Sequence, residues 1–93
     1  RYPSTLYSPS AMFWLGNAQY STRNYKEAIA SFRAVIAQAA NHLRAADALL
    51  SIANCQVEMK DTKSAKATLN ELLKKYPGSE AAATGAERLV QLK

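Results

Sequence analysis

The segment Pro9-Ser10-Ala11-Met12-Phe13-Trp14-Leu15-Gly16-Asn17 decides the fold, because it returns in altered form 37 residues later. Shifting the chain by that interval brings Ala11 onto Ala48, Leu15 onto Ile52 and Asn17 onto Asn54. The same register sets Ala28 on Ala65, Phe32 on Leu69 and Ile36 on Leu73, and a further shift carries Ile52 to Leu89. Tyr2-Pro3 comes back two periods on as Tyr76-Pro77, with Ala40 at the intermediate position of the proline. So many matches in one register mark an internal repeat, the signature of stacked units.

Working outward, helix signals divide the chain. Ser8-Pro9 predicts a helix start, with the hydroxyl as N-cap and proline where its missing N–H costs nothing. Ala11, Met12, Leu15, Ala18 and Gln19 then form a stripe of helical period as far as Ser21-Thr22-Arg23. Asn24 opens a second helix with Glu27 in a capping box, and Ala28, Ile29, Phe32, Val35 and Ile36 as its stripe. A third runs from Asn41 or His42 to Met59, with Ala45, Ala48, Leu49, Ile52 and Gln56 on one side. Asp61-Thr62 caps a fourth, striped by Ala65, Leu69, Leu72 and Leu73. Tyr76-Pro77-Gly78-Ser79 ends it and caps a fifth, from Glu80 to near Leu92. Connections this short make the five helices antiparallel neighbours.

Composition agrees with this division and excludes the alternatives. The 93 residues make one domain, 48% hydrophobic and 20% charged. Alanine occurs 18 times against 3 Gly and 3 Pro, which disfavours a sandwich or barrel with its frequent turn signals. One cysteine rules out a disulfide scaffold. No apolar run approaches the roughly 20 residues of a membrane span. Cys55, beside Ile52, Ala53 and Val57, reads as a small buried apolar residue rather than a reactive thiol.

The repeating unit resembles the tetratricopeptide (TPR) repeat, a helix–turn–helix. With Pro9 as first position, Leu15-Gly16 falls on that family's L-G pair, Ala28 on its small residue and Phe32 on its aromatic. With Ala46 as first, Ile52-Ala53, Ala65, Leu69 and Pro77 take the same places. The resemblance implies an all-α, right-handed solenoid of helical hairpins. Residues 1–8 end a preceding repeat, 9–45 form unit 1 with a three-residue insertion near Leu43–Ala45, 46–79 form unit 2, and 80–93 form a capping helix. The insertion lengthens the first helix of unit 2 by about one turn. Close helix packing needs small residues at the crossings, here Gly16 against Ala28 and Ala53 against Ala65.

Tyr2-Pro3-Ser4, Ala11, Trp14-Leu15-Gly16, Tyr76-Pro77-Gly78-Ser79 and Arg88-Leu89 narrow the resemblance further. Together they look like the C-terminal TPR domain of the Tol-Pal-associated cell division coordinator CpoB/YbgF family, although Leu50-Ser51-Ile52-Ala53 departs from that family's W-L-G. This resemblance implies a periplasmic module in a Gram-negative bacterium. It would bind TolA and help coordinate outer-membrane constriction with septal peptidoglycan synthesis. The full-length precursor would carry a signal peptide and an N-terminal coiled coil that makes a homotrimer. A chain starting at Arg1 fits an excised piece of such a protein. The alternative is a TPR subunit of the outer-membrane protein assembly machinery, whose repeats also end in Tyr-Pro. A regulatory domain attached to an enzyme is the alternative from another class.

No catalytic constellation, metal-ligand spacing or glycine-rich phosphate loop is present in the sequence, so no enzyme and no cofactor is expected. His42 falls at a helix junction, away from carboxylates and from Cys55. The TPR resemblance instead assigns a partner-binding groove to the first helix of each unit. Its residues are Ser10, Phe13, Asn17, Tyr20 and Ser21, then Asp47, Leu50, Asn54, Val57 and Glu58. Phe13 and Tyr20 are expected to face the groove, since Met12 and Leu15 supply the core stripe, whereas Leu50 and Val57 fit core or groove equally. Asn17 and Asn54, one period apart, suit hydrogen bonding to a peptide backbone. Phe13 stands where some TPRs place the first lysine of a clamp for terminal carboxylates, which argues against that mode. An amphipathic partner segment fits better. Trp14 is expected to anchor the preceding repeat, with a partner contact as the alternative.

The formal charge is +5. Its densest stretch, Lys60, Lys63, Lys66, Lys74 and Lys75 diluted by Asp61 and Glu71, reads as a solvated face rather than a phosphate track. Neither nucleic acid nor membrane insertion is expected. A general attraction to anionic surfaces or acidic partners is.

Overall fold

The computed structural model describes residues 9–38 and 43–92. The expectations for Ser8, Ala40, His42 and Tyr2-Pro3 lie outside the described residues. Five helices follow in order: α1 (Pro9–Ser21), α2 (Tyr25–Gln38), α3 (Leu43–Glu58), α4 (Thr62–Lys75) and α5 (Glu80–Gln91). Each packs on the next, and α3 also touches α1 and α5. The helices α1, α3 and α5 thus form one layer, with α2 and α4 behind it. α3 has 16 residues against 13 for α1. Its extra length is Leu43–Ala45, ahead of the residue that the register aligns with Pro9.

The two hairpin turns are built atom for atom alike, 37 residues apart. Asn24 N–H donates to Gln19 O and Asp61 N–H to Gln56 O, both at 2.8 Å. Arg23 N–H donates to Tyr20 O at 3.0 Å and Lys60 N–H to Val57 O at 2.9 Å. This pattern closes a helix with a left-handed residue. Arg23 and Lys60 take that role at φ 67° and 63°. The next helix starts at once, with Ala28 N–H donating to Asn24 O and Ala65 N–H to Asp61 O. Asp61 caps α4 by accepting from Ser64 N–H at 3.2 Å. Asn24 behaves differently from the capping box read in the sequence: its amide is engaged with Thr22 Oγ1 at 3.0 Å. Ser79 caps α5, accepting from Ala82 N–H at 3.0 Å.

Behind each turn a polar clasp repeats in the same register. Ser31 donates to Gln19 Oε1 at 2.6 Å, and Thr68 donates to Gln56 Oε1 at 2.7 Å. Ser31 and Thr68 are both buried, where an unpaired hydroxyl would be costly. Gln19 and Gln56, read above as members of apolar stripes, therefore join the two helices of each hairpin by hydrogen bonding.

Packing also corrects the face assigned to α1. Phe13 is only 8% exposed, while Leu15 is 46% exposed. The buried face of α1 runs through Phe13 and Gly16, and the Phe13 ring meets Phe32 edge-on at 5.6 Å between centroids. Apolar side chains flank the Ser10, Asn17 and Ser21 line of α1 on both sides, so its periodicity could not choose between the two stripes. Gly16 has a more specific partner than the expected Ala28: a Cβ there would stand 2.7 Å from Phe32 Cε1. The missing side chain seats that ring. Register places Ala53 and Leu69, both buried, at the same two positions in the second hairpin. One pair is Gly with Phe and the other Ala with Leu, a volume exchange that keeps the helices close. Gly85 of α5 serves likewise, since a Cβ would lie 2.9 Å from Leu72 Cδ2.

Candidate partner-binding groove

The open side of the α1, α3 and α5 layer carries a small pocket of about 110 Å³. Asn17 and Tyr20 of α1 line it from one side, and Ser51 and Asn54 of α3 from the other. All four are half-buried. The Tyr20 ring packs edge-on against Tyr25 at 5.5 Å. Burial first, and the Glu58 carboxylate second, push the Tyr20 phenol above its usual range. The hydroxyl therefore stays protonated at neutral pH, able to donate and to accept.

Arg88 of α5 closes one end of this surface by donating from Nη1 to Asn54 Oδ1 at 2.7 Å. A charge-assisted bond of this kind fixes the carboxamide and aims its NH₂ group. Arg88 and Ser51 were not among the groove residues expected from the sequence. A signal for them existed, since Trp14, Ser51 and Arg88 share one register position at 37-residue spacing. What the register lacked was any hint of which way that position faces.

The remaining expected groove residues are dispersed. Ser10, Ser21 and Glu58 are exposed, and Ser21 donates its hydroxyl to Asn17 O at 3.1 Å. Asp47, Leu50 and Val57 are half-buried, and Leu50 packs against the core. Phe13, expected in the groove, is instead a core side chain, covered by Phe32 and by the Arg44 guanidinium 5.0 Å from its centroid. Trp14 is 61% exposed, with the same guanidinium 5.9 Å from its ring. The preceding repeat expected to cover Trp14 falls outside the described residues.

Charge divides sharply between the layers. α2, α4 and the two hairpin turns carry eight basic and three acidic side chains, whereas α1, α3 and α5 carry two basic and four acidic. Cys55 is fully buried, and loss of solvation pushes its thiol up to about 11. It is inert as a nucleophile near neutral pH. Among the described residues no group of acidic, His and Cys side chains could hold a metal ion. No described helix is long and apolar enough to cross a membrane.

Comparison with known proteins agrees with this geometry. A search of curated proteins gave no match. The family model described as tetratricopeptide repeat matches residues 19–89, most of both hairpins and of α5. Repeats of this kind are, as a rule, modules for protein–protein interaction without chemistry of their own, and the stacked hairpins with their shared turns and clasps show why the match extends so far. The chain belongs to the tetratricopeptide-repeat family.

Proposed function

We propose that this domain is a protein-binding module of the Tol-Pal system, acting in the periplasm of a Gram-negative bacterium. Its partner is TolA, and its task is to help couple outer-membrane constriction to septal peptidoglycan synthesis during division. The sequence resemblance given above supports the system and the partner. The observation that carries the binding mode is the pocket formed by Asn17, Tyr20, Ser51 and Asn54 across α1 and α3. Two carboxamides and a protonated phenol offer donors and acceptors to a peptide backbone. Half-buried Leu50 and Val57 add apolar surface for one face of an amphipathic segment. The module has no step of catalysis in this reading.

Titration of the purified domain with the periplasmic segments of TolA tests both parts. Saturable binding is expected, weakened by Asn17→Ala and by Tyr20→Ala about tenfold each. Absence of TolA binding by the unaltered protein sinks the partner. Binding that both variants leave unchanged sinks the groove. Phe13→Ala is unsuited to this purpose, because removing that buried ring would unsettle the fold itself.

A further inference from the structure

The charge difference between the layers leads away from the groove, to the opposite side of the molecule. On α4, Lys63 and Lys74 project opposite the buried Ala65, Leu69 and Leu72, as the 3.6-residue period requires. On α2, Lys26 and Arg33 project opposite Ala28, Phe32 and Val35 in the same way. All four cations are exposed. Arg33 reaches across to Glu71 of α4 at 3.5 Å, which ties the two outward faces into one surface.

The acidic groups on this side do little to cancel it. Glu71 is shared between Arg33 and Lys75. The carboxylate of Asp61 caps the first turn of α4. Glu27 stands in the first turn of α2, where the helix dipole favours it. Between the cations lie exposed Ala30 and Ala67, equivalent in the repeat, and the exposed, uncharged Asn70.

We propose that the outer face of α2 and α4 docks on the anionic headgroups of a phospholipid surface, leaving the groove free on the other side. The chemistry favours this counter-charge over nucleic acid. Three of the four outward cations are lysines, compact point charges suited to diffuse attraction rather than bidentate recognition. The aromatic side chains of α2 are turned inward, with Phe32 buried and Tyr25 packed on Tyr20, so bases find no stacking platform. The association is electrostatic and peripheral, each cation near the surface adding to it.

Co-sedimentation with phosphatidylcholine vesicles, with and without phosphatidylglycerol, tests the proposal at low and high salt. Binding is expected only with phosphatidylglycerol and only at low salt. The double variant Lys63→Ala/Lys74→Ala should weaken it about tenfold. The double variant Ala83→Glu/Ala86→Glu reaches the same net charge on exposed positions of α5, and should change binding by about twofold at most. Circular dichroism checks that both remain folded. Equal binding to neutral vesicles overturns the proposal, as does equal loss in the two variants, which would mean net charge alone matters. Tighter lysine-dependent capture of a DNA duplex or of polyglutamate than of the vesicles overturns it in favour of that ligand. These outcomes are independent of TolA binding, which engages the other side.

Discussion

Helices α1 and α3 occupy equivalent positions in the repeat yet sit in different surroundings. Leu15 of α1 is 46% exposed, whereas its counterpart Ile52 of α3 is fully buried. Ala18 is exposed and its counterpart Cys55 fully buried. The reason is stacking order: α3 touches α1, α2, α4 and α5, while the described neighbours of α1 are α2 and α3. α5 repeats the lesson, since Val90, 81% exposed, stands where Gly16 and Ala53 are buried against a second helix. A repeat thus specifies which residues could meet a neighbour, and the stack decides which of them do.

The sharpest way to break this comparison is to truncate the equivalent pair. Ile52→Ala should cost about 3–4 kcal/mol of unfolding free energy, as expected for a buried aliphatic residue. Leu15→Ala should cost under about 1 kcal/mol, as expected for a residue so exposed. Denaturant titration measures both, and equal losses would mean that Leu15 is covered in solution.

Next comes the volume exchange between hairpins. Gly16→Ala should destabilise by about 2 kcal/mol, because the new methyl group meets the Phe32 ring. Adding Phe32→Leu recreates the Ala and Leu pair of the second hairpin and should restore about half of that loss. A purely additive double variant would show that the two positions are not coupled.

A smaller effect separates Cys55 from Ala18 by pH. The folded-state thiol is raised from 9.0 to about 11, so its share of stability is complete below pH 9 and is lost as pH rises through 11. Stability measured from pH 8 to 11 should fall less steeply for Cys55→Ala than for the unaltered chain. Parallel curves would show that the thiol ionises freely.

The smallest effect concerns the clasps, in which the hairpins agree. Thr68→Val should cost about 1 kcal/mol by leaving Gln56 Oε1 without its donor. Ser31→Ala should cost a similar amount through Gln19. A double variant with Gln56→Leu should recover part of the loss in the second hairpin. Unequal single costs would reveal that one turn carries more of the hairpin than the other.

The hairpins themselves were legible in the sequence because short-range chemistry sets them. Pro9, Asp61 and Ser79 mark helix starts, and the 37-residue register fixes the order of units. The TPR resemblance assigned Asn17, Tyr20 and Asn54 to a groove, and these three side chains line one pocket. Phe13 was misplaced because α1 is apolar on several faces, and only contact with Phe32 distinguishes the inner one. The part Arg88 plays at the groove was not legible because its partner Asn54 lies 34 residues away on another helix.

The sequence by itself therefore determined what depends on neighbours along the chain: five helices, their caps, the period and the small residues that permit close approach. Tertiary structure alone decided which equivalent residues are buried, how Gly16 and Phe32 trade volume, and that cations gather on one layer while the polar pocket opens on the other. The physical reason is range. Caps and helical period act over three or four residues, whereas burial and the summed field of a surface exist only once separate helices are packed side by side.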